Sequence, residues 1–413
     1  MYASSIALIA GYGLVASFRR RRTGEDVMAL LLPLCWFSVT LMTARGAQRY
    51  HFFLAPPSLI FMGIALFEGF RGARRLPIFP LKASALTLLA LVSILLILSC
   101  LRTDSRLIRS SRPLLSPPWR DAMEWMRDNL PEDAVVAAWW HYGSMINVLA
   151  HKSTVVDEDH FIPYWIHLIS RHLFCAKSER EALELLKAHN VTHVAISLSE
   201  LLSLPMISWL GSDEEGDRQT ILSPLISPDG LIPLGGDEFI LNLRPPSWIR
   251  GDEPIRVNGR EIPKGEWFLG DVYVRLKRRG ERLEPIRGTG VVRSGNSVYK
   301  LPIREIYLPP VRVRSEGEAI PGCLVLLPDG DKKVRRGIYL SGKAAGYLTA
   351  KLLLFQDARH FRRVYPPSGE GSLVPEVQIW RVVYPGDISY PEAYLEREFP
   401  DPELFRAWSR GKP

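Results

Sequence analysis

The pattern of apolar and polar positions divides this 413-residue chain near residue 100. Four long apolar segments come first: residues 2–18, 27–43, 52–67 and 83–101. At about 1.5 Å of rise per residue, the last is roughly as long as a bilayer core is thick. Taken alone, any one of them also fits a buried helix of a soluble protein. Four in succession, separated by short basic loops, predict membrane spans. Residues 102–116 then form a basic tether containing Ser and Pro.

Beyond the tether the periods are those of a water-soluble domain. Pro117 and Pro118 open a helix over 119–129, with Ala122, Trp125 and Met126 at helical spacing. Residues 134–138, Ala-Val-Val-Ala-Ala, read as a short buried strand. A second short strand is expected at 153–156 and a helix at 163–174. Ser178 with Glu181 three residues on is a capping box for a helix over 178–189, and a strand follows at 192–196. Strand–helix–strand alternation predicts a mixed or parallel sheet. From about 235 onward, short alternating segments lie between Gly and Pro turns: 238–243, 266–276, 290–299, 303–307, 323–327 and 337–340. These predict a β-rich barrel or sandwich that braces the core.

The fold class is therefore that of an α+β membrane protein. Four N-terminal transmembrane helices (1–101) and a linker (102–116) precede an external mixed α/β core domain (117–234). A β-rich peripheral region (235–413) follows, and it also carries closing strands of the core.

Charge orients the spans. Arg19, Arg20, Arg21 and Arg22 fill the first loop, and Arg71, Arg74, Arg75 and Lys82 the third, against Arg45 and Arg49 in the second. The positive-inside rule puts loops one and three in the cytoplasm. A multi-pass protein of the cell membrane with an extracytoplasmic C-terminal domain is expected. The first segment lacks the basic start of a signal peptide. The net charge of +8 owes much to these loops, so it speaks for a membrane surface and not for nucleic acid. Four scattered cysteines make neither a disulfide scaffold nor a Cys-x-x-Cys metal site.

Candidate chemistry gathers at Trp139-Trp140-His141-Tyr142-Gly143, directly after the strand 134–138. Successive strand side chains alternate, so one indole is expected inward and one outward, and Gly143 to permit a sharp turn. Indole N–H donors, an imidazole and a phenol make either a recognition edge or a tryptophan-rich core edge. Asp157-Glu158-Asp159-His160 offers metal-ligand types, but four consecutive residues seldom aim at one ion, and a solvated loop is the simpler reading. Asn190-Val191-Thr192 matches a glycosylation triplet but sits too tightly between helix and strand to count as a site.

Residues 121–143 resemble the soluble-domain signature of oligosaccharyltransferase catalytic subunits, especially the archaeal AglB type. There a helix leads through Pro-Glu-Asp-Ala into a strand and then Trp-Trp-Asp-Tyr-Gly. Four of those five motif residues match, and His141 replaces the Asp. The likeness extends through 182–187 and 192–196 and returns weakly at 346–355 and 377–383, as closing strands. The resemblance implies that Trp139, Trp140, His141 and Tyr142 bind the Ser/Thr of an Asn-X-Ser/Thr acceptor polypeptide. It implies a second element on a helix after the strand 192–196, where Met206 fits while Ser199 and Leu202 replace a charged pair. Leu201, Leu202 and Leu204 read as buried helix residues. Arg49 resembles a family Arg that faces the lipid pyrophosphate of a lipid-linked oligosaccharide; an interfacial anchor beside Tyr50 and His51 is the alternative.

Family catalysis uses Mg or Mn held by acidic loops of early membrane spans. Between the apolar segments the only acids are Glu25, Asp26 and Glu68, on or near the cytoplasmic side. No catalytic residue, metal ligand or cofactor is therefore assigned to this chain. It reads as the C-terminal part of such an enzyme, with the metal and the transfer step in a separate N-terminal membrane half. A non-catalytic membrane-anchored binding or structural paralogue is the alternative. If His141 accepts the Ser/Thr proton, binding is expected to weaken as pH falls through about 6.5.

Overall fold

The computed structural model describes residues 34–43, 51–110, 115–280, 282–328, 334–367 and 374–410. The chain forms two units, 1–114 and 115–413. In the first, the described residues form α1 (Leu34–Thr43), α2 (His51–Arg74) and α3 (Phe79–Ser110). Gly69 of α2 faces the side chain of Leu89 on α3, where the small residue lets the helices approach. Among the described residues one helical stretch, Phe79–Thr103, is long and apolar enough to cross a membrane, and none of it is buried in the protein. The expected span 2–18 and residues 27–33 of the second lie outside the described residues, so the four-helix expectation is not shown. The tether also begins later than expected. α3 runs on to Ser110, because no Gly or Pro interrupts the sequence until Pro113.

The second unit opens with α4 (Pro117–Asn129), which buries Trp119, Ala122, Met123 and Met126 on one face. It stops at Leu130, whose backbone is extended as the residue before Pro131. β1 (Val135–Ala137) and β2 (Ser153–Thr154) follow. Next come α5 (Pro163–Ile169), continued by a wider turn over Ser170–Phe174, and α6 (Glu179–Ala188). β3 (His193–Ser197) leads to α7 (Leu198–Leu202) and α8 (Leu204–Leu210). The capping box at α6 is half formed. The Ser178 hydroxyl accepts from the Glu181 N–H, but the Glu181 carboxylate takes the Lys177 N–H, His172 and Arg218 instead.

The β-rich region contributes β4 (Leu222–Ile226), β5 (Leu231–Gly235), β6 (Glu238–Leu243), β7 (Ile249–Arg250), β8 (Ile255–Val257) and β9 (Arg260–Ile262). The longer strands β10 (Phe268–Arg279), β11 (Arg282–Ser294) and β12 (Ser297–Leu308) come next. Then come β13 (Val311–Arg314), β14 (Ile320–Pro328) and β15 (Val334–Leu340), and finally β16 (Phe361–Tyr365) and β17 (Val377–Val382). One sheet has the order β16-β17-β3-β1-β2, with β1 parallel to both neighbours and β17 antiparallel to β3. All five residues of β3 are buried, as a central strand covered on both faces requires. The other sheet runs β4-β15-β14-β12-β11-β10-β6-β5. It curls until Ile226, at the end of β4, exchanges backbone hydrogen bonds of 2.9 and 3.0 Å with Arg244 just past β6. This is an α+β fold.

β14 belongs to both cores. Cys323 and Val325 face the α/β side while Leu324 and Leu326 face the curled sheet, so an unbroken apolar run keeps its strand period of two. One expectation fails here. Residues 346–355 are helical turns (Leu348–Ala350, Lys351–Phe355) and not a strand. Leu352, Leu353 and Leu354 are all buried, so nothing in that run alternates.

Candidate functional site

The three parallel strands β1, β2 and β3 end on the same edge of their sheet, and the motif grows from the middle one. Trp139 stays extended. A 3-10 turn over Trp140–Tyr142, a turn over Gly143–Met145 and a wider one over Ile146–Ala150 then carry the chain to β2. Left-handed backbone at His151 (φ 53°) ends this helical segment. Gly143 is not the expected sharp turn, since its φ of −58° suits any residue. Space demands the glycine: a Cβ there would sit 2.2 Å from the Val156 carbonyl oxygen and 2.6 Å from Asp157 Cα.

The two indoles part company as expected, but the turn that starts at Trp140 separates them and not strand alternation, since residues 136–139 are all buried. Trp139 is 1% exposed and packs edge-on against Phe174 at 5.5 Å. Its Nε1–H has no hydrogen-bond partner among the described residues. Trp140 is half-buried and lies edge-on to His160 at 4.4 Å and to His141 at 5.5 Å. His141 in turn lies 4.2 Å from the Tyr142 ring, and Tyr142 stacks on Trp119 at 3.8 Å. Trp140 and His141 are thus the motif's half-exposed groups, set on a base of Trp139, Tyr142 and Trp119.

Burial pushes the His141 imidazole down to about 4, so at neutral pH it carries one N–H and one acceptor nitrogen. The expected response near 6.5 therefore moves to about 4. Burial also raises the Tyr142 phenol, with the nearby Glu200 charge adding to it.

Glu200 is the functional candidate that motif reading missed. It is 1% exposed, and burial pushes its carboxyl up to about 7. Its Oε2 accepts from the Ser197 N–H at 2.6 Å and the Ser197 hydroxyl at 2.7 Å, completing a capping box at the end of β3. Its Oε1 has no partner among the described residues. The Ser197-x-x-Glu200 spacing was the legible signal.

Met206 sits half-buried on α8 against the same core. The helix expected there is two short ones. Leu201 and Leu204 are buried as expected, but Leu202 is 53% exposed. Arg49 lies outside the described residues. Asp157–His160 forms a turn in which Asp157 Oδ1 accepts the Asp159 N–H at 3.1 Å. Among the described residues no three His, Cys, Asp or Glu converge to hold a metal ion. The Thr192 hydroxyl is engaged internally, donating to the Val135 carbonyl at 3.1 Å.

No family model matches the chain. It is 34% identical over 84 residues to the dolichyl-diphosphooligosaccharide–protein glycosyltransferase subunit STT3 of Saccharomyces cerevisiae, which is 20% of this chain and 11% of that protein. Its identity to subunit STT3B of Oryza sativa is 30% over 78 residues, 19% of this chain and 10% of that one. The matched stretch thus spans about a tenth of the length of these curated relatives. Among solved structures, the Archaeoglobus fulgidus oligosaccharyltransferase tethered with an acceptor peptide containing the NVT sequon aligns with a TM-score of 0.48 at 16% identity. That alignment covers 87% of this chain and 37% of the other.

Proposed function

We propose that this chain recognises the Asn-X-Ser/Thr acceptor for an oligosaccharyltransferase of protein N-glycosylation. The observation that carries this reading is the 34% identity to the yeast STT3 subunit. The half-exposed Trp140 and His141 supply the chemistry. The Trp140 indole N–H donates to the Ser/Thr hydroxyl oxygen, and the hydroxyl proton goes to the acceptor nitrogen of neutral His141. In this reading His141 does the work of the Asp in the resembling motif. The buried Trp139 holds the turn from beneath, and Met206 lines the approach from α8.

The same reading makes the protein multi-pass, with residues 115–413 outside the cytoplasm. Arg49 would bind the pyrophosphate of the lipid-linked oligosaccharide bidentately. The acidic loops that hold Mg or Mn, and the transfer step itself, belong to a separate membrane half.

The test is binding of labelled Asn-X-Thr and Asn-X-Ala peptides to the full chain in nanodiscs. We expect the Thr peptide to bind more tightly, with equal affinity at pH 5 and pH 8. Trp140→Ala should abolish the Thr preference and His141→Asp should keep it. Equal binding of the two peptides would sink the proposal and leave a non-catalytic membrane-anchored protein.

A further inference from the structure

A cavity of about 170 Å³ opens beside the motif, lined by Val155, Asp157, His160, Phe161, Ile162 and Trp165 among others. It is continuous with the recognition edge at two places. His160, on its wall, lies edge-on to Trp140 at 4.4 Å. Val156 and Asp157, also on its wall, are the backbone against which Gly143 is pressed. The glycine that the motif needs for close approach therefore also fixes how near the cavity stands to Trp140.

Most of the lining residues are apolar, with two polar side chains among them. Val155, Ile162, Ile166 and the Trp165 ring form the apolar part, while Asp157 and His160 are the polar members. Trp165 is held by its Nε1–H donating to the Glu396 carbonyl at 2.8 Å, so this wall is anchored from the far end of the chain. Phe161 is 85% exposed and also lines the cavity, an aromatic ring left in water at its border.

We propose that this cavity is a side-chain subsite of the acceptor polypeptide, taking an apolar or aromatic residue close to the Asn-X-Ser/Thr triplet. The subsite rests on the acceptor reading above. Neighbouring residues of an extended peptide are about 3.3–3.6 Å apart along the chain. A peptide whose Ser/Thr is held at Trp140 thus brings a side chain one or two residues away over His160 and into the cavity. Its size suits one Leu, Met or Phe side chain. Phe161 covers that side chain, which hides both apolar surfaces from water. The subsite would give the protein a preference among otherwise equal triplets, set by residues outside the motif.

The test is a positional scan with the full chain in nanodiscs. Labelled Asn-X-Thr peptides carry Leu, Asp or Lys at each of the two positions on either side of the Thr, leaving the Asn fixed, with Asn-X-Ala partners as controls. At one position Leu should bind about tenfold more tightly than Asp or Lys, the discrimination an apolar pocket gives. Ile162→Arg should erase that preference while the Thr-over-Ala discrimination survives. Phe161→Ala, at an exposed position that does not threaten folding, should weaken the preference several-fold. Thr-over-Ala discrimination with no flanking preference would overturn the subsite and leave the proposed function standing; a lipid chain filling the cavity would give that result. A preference for Lys, or a Leu preference unmoved by both variants, would overturn it as well. Loss of all Thr-over-Ala discrimination in the wild type would overturn both readings.

Discussion

The α/β core and the curled sheet share β14 and β15 as a common wall, yet they present different surfaces. On the α/β side, three parallel strands finish on one edge, and the connections that leave it carry Trp140, His141, His160 and Phe161 outward. On the other side, β10 and β11 run antiparallel for most of their length and join through a tight turn at Gly280 (φ 61°). What that hairpin exposes near its tip is Arg278, Arg279 and Arg282. A parallel strand needs a long crossover to reach the next, and the crossover has room to build a site. An antiparallel hairpin spends its residues on pairing and leaves solubilising charge at its end. In the proposed function, recognition falls to the parallel edge and bracing to the curled sheet.

The sharpest way to break this division is inside the motif. Trp139→Ala removes a buried indole from the core and should cost about 3–5 kcal/mol of stability. Trp140→Ala should cost about 1 kcal/mol or less and act on peptide binding instead. Thermal unfolding of both variants checks this; similar melting temperatures would mean that the motif has no inside and outside.

The shared wall gives the next largest effect. Leu324→Ala, on the curled-sheet side of β14, should cost about 3 kcal/mol. Because Val325 on the same strand serves the other core, tryptophan fluorescence and far-UV circular dichroism should shift together. Two separated transitions would show the cores to be independent.

Protonation separates the α/β core further. The His167 Nδ1–H donates to the Leu210 carbonyl, 2.8 Å away, and burial lowers the imidazole to about 4. Its folded value lies below the ordinary 6.5. Its stabilising share is therefore present above about 6.5 and lost as pH falls through 4, about 3 kcal/mol in all. His141 and His193 act in the same direction. Glu200 runs the other way. Its value is raised to about 7, so its share is full below about 4.5 and lost as pH rises to 7, again about 3 kcal/mol. Chemical denaturation of Glu200→Gln from pH 4.5 to 7.5 should therefore show a steeper loss of stability toward acid than the wild type. An unchanged slope would mean that Glu200 is not held neutral. The smallest effect belongs to the curled sheet. Arg275→Ala removes the exposed pair with Glu238 and should cost less than about 1 kcal/mol, and less still in high salt.

Much of the architecture was written locally. The period of α4, the Pro residues that start it and the β-branched run of β1 are short-range features, and each formed within a residue or two of its expected place. One indole inside and one at the surface was also legible, but a turn beginning at Trp140 separates them and not strand alternation, since residues 136–139 are all buried. The Ser197–Glu200 box could have been read from its spacing, yet nothing local says that Glu200 is buried beside Tyr142. Residues 346–355 misled because a run buried on all sides has no period to read. Only the tertiary structure decided why position 143 is glycine, since the reason is the backbone of Val156 and Asp157, just past the next strand, pressed against it. It likewise decided that β14 serves two cores, that His141 stays neutral far below 6.5, and that a cavity opens beside Trp140. Periodicity and turn chemistry act between neighbours in the chain, whereas burial, desolvation and close approach are set by residues that only folding brings together.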